Sequence, residues 1–140
     1  MTNERKENIK HFINDHEPFI QHNHIRVVDV DDGMAVVELE MHPESLNRWD
    51  SPHGGLLFSL GDMAAGTATL TVRQESCMTL NASINYIAAV GDAKKLIATG
   101  RIRQSGGKVS FCDVDICDEA GRLAARLSTV MYFTGKNLDL

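Results

Sequence analysis

The chain's 140 residues suffice for one domain with a real core. A hydrophobic content of 43% with 24% charged residues is that of an ordinary soluble globular protein. The net charge of −5 argues against nucleic acid as the main partner, because phosphate binding needs clustered positive charge. The N-terminus, Met1-Thr2-Asn3-Glu4-Arg5-Lys6, leads into a polar helix rather than an apolar signal core, and no apolar run predicts a membrane span. A cytoplasmic location with no membrane partner is the resulting expectation.

Residues 3–15 predict a short amphipathic helix with Ile9, Phe12 and Ile13 on one face. Pro18 ends it, and Phe19 and Ile20 are expected to pack as its continuation, so residues 1–20 form a helical extension to a single domain spanning 1–140. His11, His16, His22 and His24 cluster here, but without Cys or a carboxylate at ligand spacing they predict no metal site. Residues 24–31 and 34–41 read as two strands around the turn Asp31-Asp32-Gly33, the second alternating with Ala35, Val37, Leu39 and Met41 inward. A loop over 42–52 then carries the only tryptophan, Trp49.

The stretch Asp50-Ser51-Pro52-His53-Gly54-Gly55, followed by Leu56 to Val72, organises the chain. Its second part predicts one long helix, apolar on nearly every side and therefore central rather than peripheral. Asp62 is the only Asp, Glu, Lys or Arg between Ser51 and Val72, and a buried carboxylate is costly unless paired or reached by water. Pro52 suits entry to a first turn. Gly54 and Gly55 are poor helix formers, but they let another group approach the free N–H groups that attract a negative oxygen. An oxyanion-binding helix end and a carboxylate are two parts of an acyl-transfer or hydrolysis site. Tight helix–sheet packing is the structural alternative for the glycines, and capping the helix start is the alternative for His53.

Four further strands follow, with no second long helix. In residues 77–88, Met78, Leu80, Ala82, Ile84 and Tyr86 share one face, and Thr79, Asn81, Ser83 and Asn85 the other. In 94–105, Leu96, Ala98, Gly100 and Ile102 alternate with Ile97, Thr99, Arg101 and Arg103. Residues 109–118 alternate less regularly, and 122–134 place Leu123, Ala125, Leu127, Met131 and Phe133 inward. Cys112 and Cys117 are five apart and point to opposite faces; with Cys77 they match no metal spacing and read as small packing residues.

An antiparallel sheet with one apolar face and a helix apolar all round have one economical arrangement, the sheet curled around the helix. One sheet cannot enclose the helix, so the uncovered side, with the Thr79-Asn81-Ser83-Asn85 face, is expected to meet a second copy across a two-fold axis. Gly55 and Asp62 lie seven residues apart, a rise of about 10 Å, whereas catalytic contacts span about 3 Å. Two antiparallel helices would bring the acid of one chain to the amide of the other.

With these residues in view the chain resembles the hotdog-fold acyl-CoA thioesterases, specifically the PaaI-like (phenylacetic-acid degradation) branch, from about residue 24 to 134. The resemblance rests on Asn47 six residues before His53-Gly54-Gly55, on Asp62 nine residues after His53, and on the strand from Thr79 to Tyr86. It implies an α+β hotdog fold and hydrolysis of acyl-CoA thioesters. The Gly55 N–H would polarise the thioester carbonyl. Asp62 of the facing subunit would be nucleophile or general base, Asn47 and His53 would orient water or leaving group, and Thr79 would supply a hydroxyl. The family implies a homodimer at least, association into homotetramers, and no metal or redox cofactor. Among the basic residues on the late strands, Arg103 and Lys108 are the candidates for holding CoA phosphates. The other readings are a non-catalytic acyl-CoA-binding or regulatory protein and an acyl-thioester dehydratase or hydratase. The acyl group, and the choice between CoA and acyl-carrier protein, are not written in the sequence.

Overall fold

The computed structural model describes all 140 residues, in the order helix, short helix, two strands, long helix, four strands. Helix α1 (Asn3–His16) is capped by Thr2, whose side chain accepts from the Arg5 N–H. Ile9 and Ile13 are buried beneath it. Arg5 Nη2 donates to the Thr71 carbonyl at 2.9 Å, tying α1 to the last turn of the long helix. Asn14 bridges to the first strand in both directions, donating to the Val27 carbonyl and accepting from the Val27 N–H. Pro18 starts a short second helix, α2 (Pro18–His22). It buries Ile20 completely but leaves Phe19 57% exposed, so only one of the two packs as expected.

Strands β1 (Ile25–Asp31) and β2 (Met34–Glu40) form the first hairpin, with Gly33 at φ +72° in its turn. After the long helix α3 (Gly54–Val72) come β3 (Glu75–Tyr86), β4 (Lys95–Ser105), β5 (Val109–Asp118) and β6 (Leu123–Asn137). All pair antiparallel in the order β1-β2-β4-β5-β6-β3, which leaves β3 at a free edge. The sheet is wrapped around α3, which packs against all six strands. Two glycines let the layers approach: a Cβ on Gly100 of β4 would lie 2.7 Å from the Ala64 carbonyl oxygen, and one on Gly61 would lie 2.9 Å from Leu127 Cδ2. At 19 residues α3 reaches the length of a membrane crossing, yet one side of it is buried against this sheet from Leu57 to Thr71.

Three expectations are corrected. The helix begins at Gly54 with His53 as its N-cap, so Pro52 lies outside it, in an isolated bridge to Leu46. Strand β5 alternates cleanly, with Ser110, Cys112, Val114 and Ile116 inward. In β3 the register slips between Thr79 and Asn81, a bulge at Leu80 that reverses which residues face the helix. Before it Cys77 and Thr79 contact α3; after it Tyr86 does, with Ala82 and Ile84 packed on the core. Met78 and Leu80 are left 63% and 61% exposed beside the free edge.

Candidate functional site

The loop before α3 is a built turn. Asn47 Oδ1 accepts from the N–H groups of Trp49 and Ser51, and its own N–H donates to the Ser51 carbonyl. Asp50 adopts φ +58°, a left-handed conformation in which Asn and Asp are the least strained non-glycine residues. The His53 N–H donates to the Ser45 carbonyl, which fixes where the helix starts.

At that start His53 Nδ1 accepts from the Gly55 N–H at 2.9 Å. A neutral ring therefore carries its proton on Nε2. The Gly54 carbonyl accepts from Tyr86 Oη at 2.7 Å, and a Cβ on Gly54 would lie 3.1 Å from the tyrosine ring and hydroxyl. A side chain at 54 would press on the end of Tyr86 and oblige that ring to shift by a few tenths of an ångström. Tyr86 was missed in the sequence reading: nothing local distinguishes it from the other apolar residues of its strand. Asn47, Gly54, Gly55 and Tyr86 line one cavity of about 410 Å³, completed by Leu57 and Val90.

Asp62 lies elsewhere. With Gly55, Ser59, Met63 and Gly66 it occupies the stripe of α3 that the sheet leaves uncovered, so its carboxylate is half-buried rather than sealed inside. Its Oδ1 accepts from Thr79 Oγ1 at 2.7 Å, a bond that exists only because the Leu80 bulge leaves Thr79 facing the helix. Thr79 Oγ1 is also 3.3 Å from Met131 Sδ. Asp62 and Thr79 share a second cleft, about 310 Å³, with Glu17, Cys77, Met63 and Met131. Glu17, contributed by the end of α1, is a residue the sequence did not flag. Burial and then the Asp62 and Glu17 charges push the Cys77 thiol up to about 11.

The predicted residues thus form two groups within one chain, Asn47, His53 and Gly55 at the helix start and Asp62 with Thr79 further along. Arg103 and Lys108 line neither cavity. Arg103 Nε donates to Asp113 Oδ2 at 2.9 Å on the outer sheet face, where both side chains remain exposed. Lys108, in the β4–β5 turn, has no carboxylate partner within the chain. Neither set contains three metal-ligating side chains.

A six-stranded antiparallel sheet around one central helix, with a glycine-rich helix start and an acid on the helix's open stripe, defines a hotdog-fold thioesterase-like domain. The comparisons agree: residues 52–125 match the thioesterase superfamily, and the chain belongs to that family, in its PaaI-like branch. It is 29% identical over 117 residues to the acyl-coenzyme A thioesterase PaaI of Escherichia coli, spanning 81% of this chain and 76% of that protein. The solved structure of E. coli PaaI superposes with a TM-score of 0.88 at 24% identity, over 95% of this chain and 96% of that one. A hypothetical thioesterase of Streptococcus pneumoniae, solved with coenzyme A, is 30% identical with a TM-score of 0.74, over 81% of this chain and 88% of that one.

Proposed function

We propose that the protein hydrolyses acyl-CoA thioesters to the free acid and CoA at a site shared by two copies of the chain. The observation that carries this reading is the carboxylate of Asp62, oriented by Thr79 at 2.7 Å on a face of α3 that its own chain leaves open. Thr79 engages Oδ1, which leaves Oδ2 to accept a proton from water. The water oxygen attacks the thioester carbonyl carbon as Asp62 takes the proton. The resulting oxyanion is held by the Gly55 N–H of the second copy, which His53 relinquishes as the carbonyl arrives. Collapse breaks the C–S bond and expels the CoA thiolate, a leaving group good enough to need no strong acid. Asp62 as nucleophile, through a mixed anhydride that water then opens, uses the same geometry. Neither route calls for a metal or a redox cofactor.

What supports a second copy is the open stripe of α3 and the unpaired edge of β3 beside the exposed Met78 and Leu80, an unpaired strand edge being a template for another chain. Further association into tetramers is part of the same proposal, as is phosphate binding by Arg103 and Lys108. The bound coenzyme A of the S. pneumoniae protein supports CoA as the carrier. The test is release of free thiol from a panel of acyl-CoA and acyl-carrier thioesters by wild type and Asp62→Asn. Loss of a general base costs about 10²- to 10⁴-fold in kcat, so a variant as fast as wild type would refute the assignment. Tight acyl-CoA binding without turnover would instead favour a binding protein.

A further inference from the structure

The cleft that holds Asp62 and Thr79 runs inward beneath α1. Its apolar wall comes from Phe12, Ile13, Met63, Leu70, Met131 and Leu138, and about 310 Å³ is at the small end of ligand pockets. The charged groups are all acidic: Glu17, Asp62 and Glu75 line the cleft, and no Lys or Arg does. Glu75 is compensated by Arg73 and by the Gly135 N–H. Glu17 has no cationic partner, and it stands on the α1 side of the cleft, opposite the acid of α3.

We propose that this cleft receives the acyl group, and that Glu17 makes it select uncharged acyl chains over chains ending in a carboxylate. The inference rests on the thioesterase reading above and adds the substrate class. An aliphatic acyl group replaces water along the apolar wall, and its carbonyl end stays near Asp62. A terminal carboxylate would be desolvated in a cleft that offers it no cation and faces it with two anions. Glu17 is an exposed residue whose carboxyl the partial burial beside the cleft, and after it the charge of Asp62, hold above the usual range. Glu17 and Asp62 both line the space an acyl chain would fill. Docking of α1 through Ile9, Ile13 and Arg5 is what puts Glu17 there.

The experiment compares kcat/KM for hexanoyl-CoA and adipoyl-CoA, equal in carbon count and different by one terminal charge, at pH 8 and low ionic strength. Wild type, Glu17→Gln and Glu17→Lys are assayed as intact chains. Wild type is expected to favour hexanoyl-CoA by at least tenfold. Glu17→Gln should narrow that preference by roughly fivefold and Glu17→Lys by more, with the change carried mainly in KM for adipoyl-CoA and diminished by added salt. Any effect of Glu17 on the basicity of Asp62 acts on both substrates and cancels in the ratio. A ratio that stays within twofold of wild type in both variants overturns the inference while leaving the thioesterase reading intact. No hydrolysis of hexanoyl-CoA or of any other thioester by wild type overturns that reading, and this inference with it.

Discussion

If Asp62 of one chain acts on a carbonyl held by Gly55 of another, two inactive chains must restore activity when combined. The perturbations are Asp62→Asn, which removes the base, and Gly55→Pro, which deletes the amide donor. Proline is tolerated in a first helical turn because the lost N–H has no helical partner there, and here its only acceptor is the His53 ring. Each homomeric variant should lose about 10²-fold or more. In a co-expressed equal mixture, a working site needs its acid from a Gly55→Pro chain and its amide from an Asp62→Asn chain. Random pairing supplies each with a probability of one half, so about one quarter of wild-type activity returns, for a dimer or a dimer of dimers alike. The assay is free-thiol release per chain, with thermal melting as the check that each variant folds. Sites built within a single chain cannot be repaired this way. A mixture no more active than its parents refutes the shared site, and with it the account of why Gly55 and Asp62 line separate cavities.

Two further outcomes follow from packing and charge. Gly100→Ala drives a methyl to 2.7 Å from a backbone oxygen of α3, where nothing flexible can yield; it should cost about 2–4 kcal/mol. Gly61→Ala meets side-chain atoms rather than backbone, Leu127 Cδ2 at 2.9 Å with Ile116 Cδ1 at 3.3 Å, and should cost less than Gly100→Ala, about 1 kcal/mol, since alanine also improves the helix. Urea unfolding that ranks the two equally contradicts this view of the helix–sheet contact. Cys77, its thiol pushed up to about 11 by burial and then by Asp62 and Glu17, should alkylate with iodoacetamide at pH 8 roughly 200-fold more slowly than a free thiol. The rate should climb with pH towards 11, because only the thiolate reacts, and Asp62→Asn should accelerate it. Peptide mass spectrometry after timed alkylation reads all three, and rapid labelling of Cys77 at pH 8 goes against the charged cleft.

The architecture was legible because two periodicities dominate the chain. Alternation in β2, β4 and β6 marks one buried sheet face, and the all-apolar run after Gly55 marks a helix with nowhere to go but the middle. Asp62 was legible as the single charge in that run. Its degree of burial was not, because which stripe of a uniformly apolar helix the sheet leaves open depends on where Gly61 and Gly100 permit contact. The bulge at Leu80 was invisible for a different reason: an inserted residue changes register without changing composition, and the unbroken alternation from Met78 to Tyr86 misassigned the first half of the strand. Glu17 and Tyr86 reach the two cavities only through tertiary docking, α1 through Ile9 and Ile13, Tyr86 through the close approach to Gly54. No sequence pattern marks either.

Helix α3 carries both halves of the proposed chemistry at a fixed separation. Its first turn supplies the amide and its middle supplies the acid, about two turns apart on a rod that cannot fold back on itself. The open stripe from Gly55 through Ser59 and Asp62 to Gly66 has small side chains at three of these four positions. Small residues let another backbone come close, so this stripe suits an approaching helix better than it suits solvent. An antiparallel copy seated there would cover the apolar groups that the sheet cannot reach, and in the same movement would carry each Asp62 towards the other chain's Gly55. Assembly and catalysis are then one event. Any substitution that separates the copies without touching Asp62 should abolish turnover as completely as removing the acid itself.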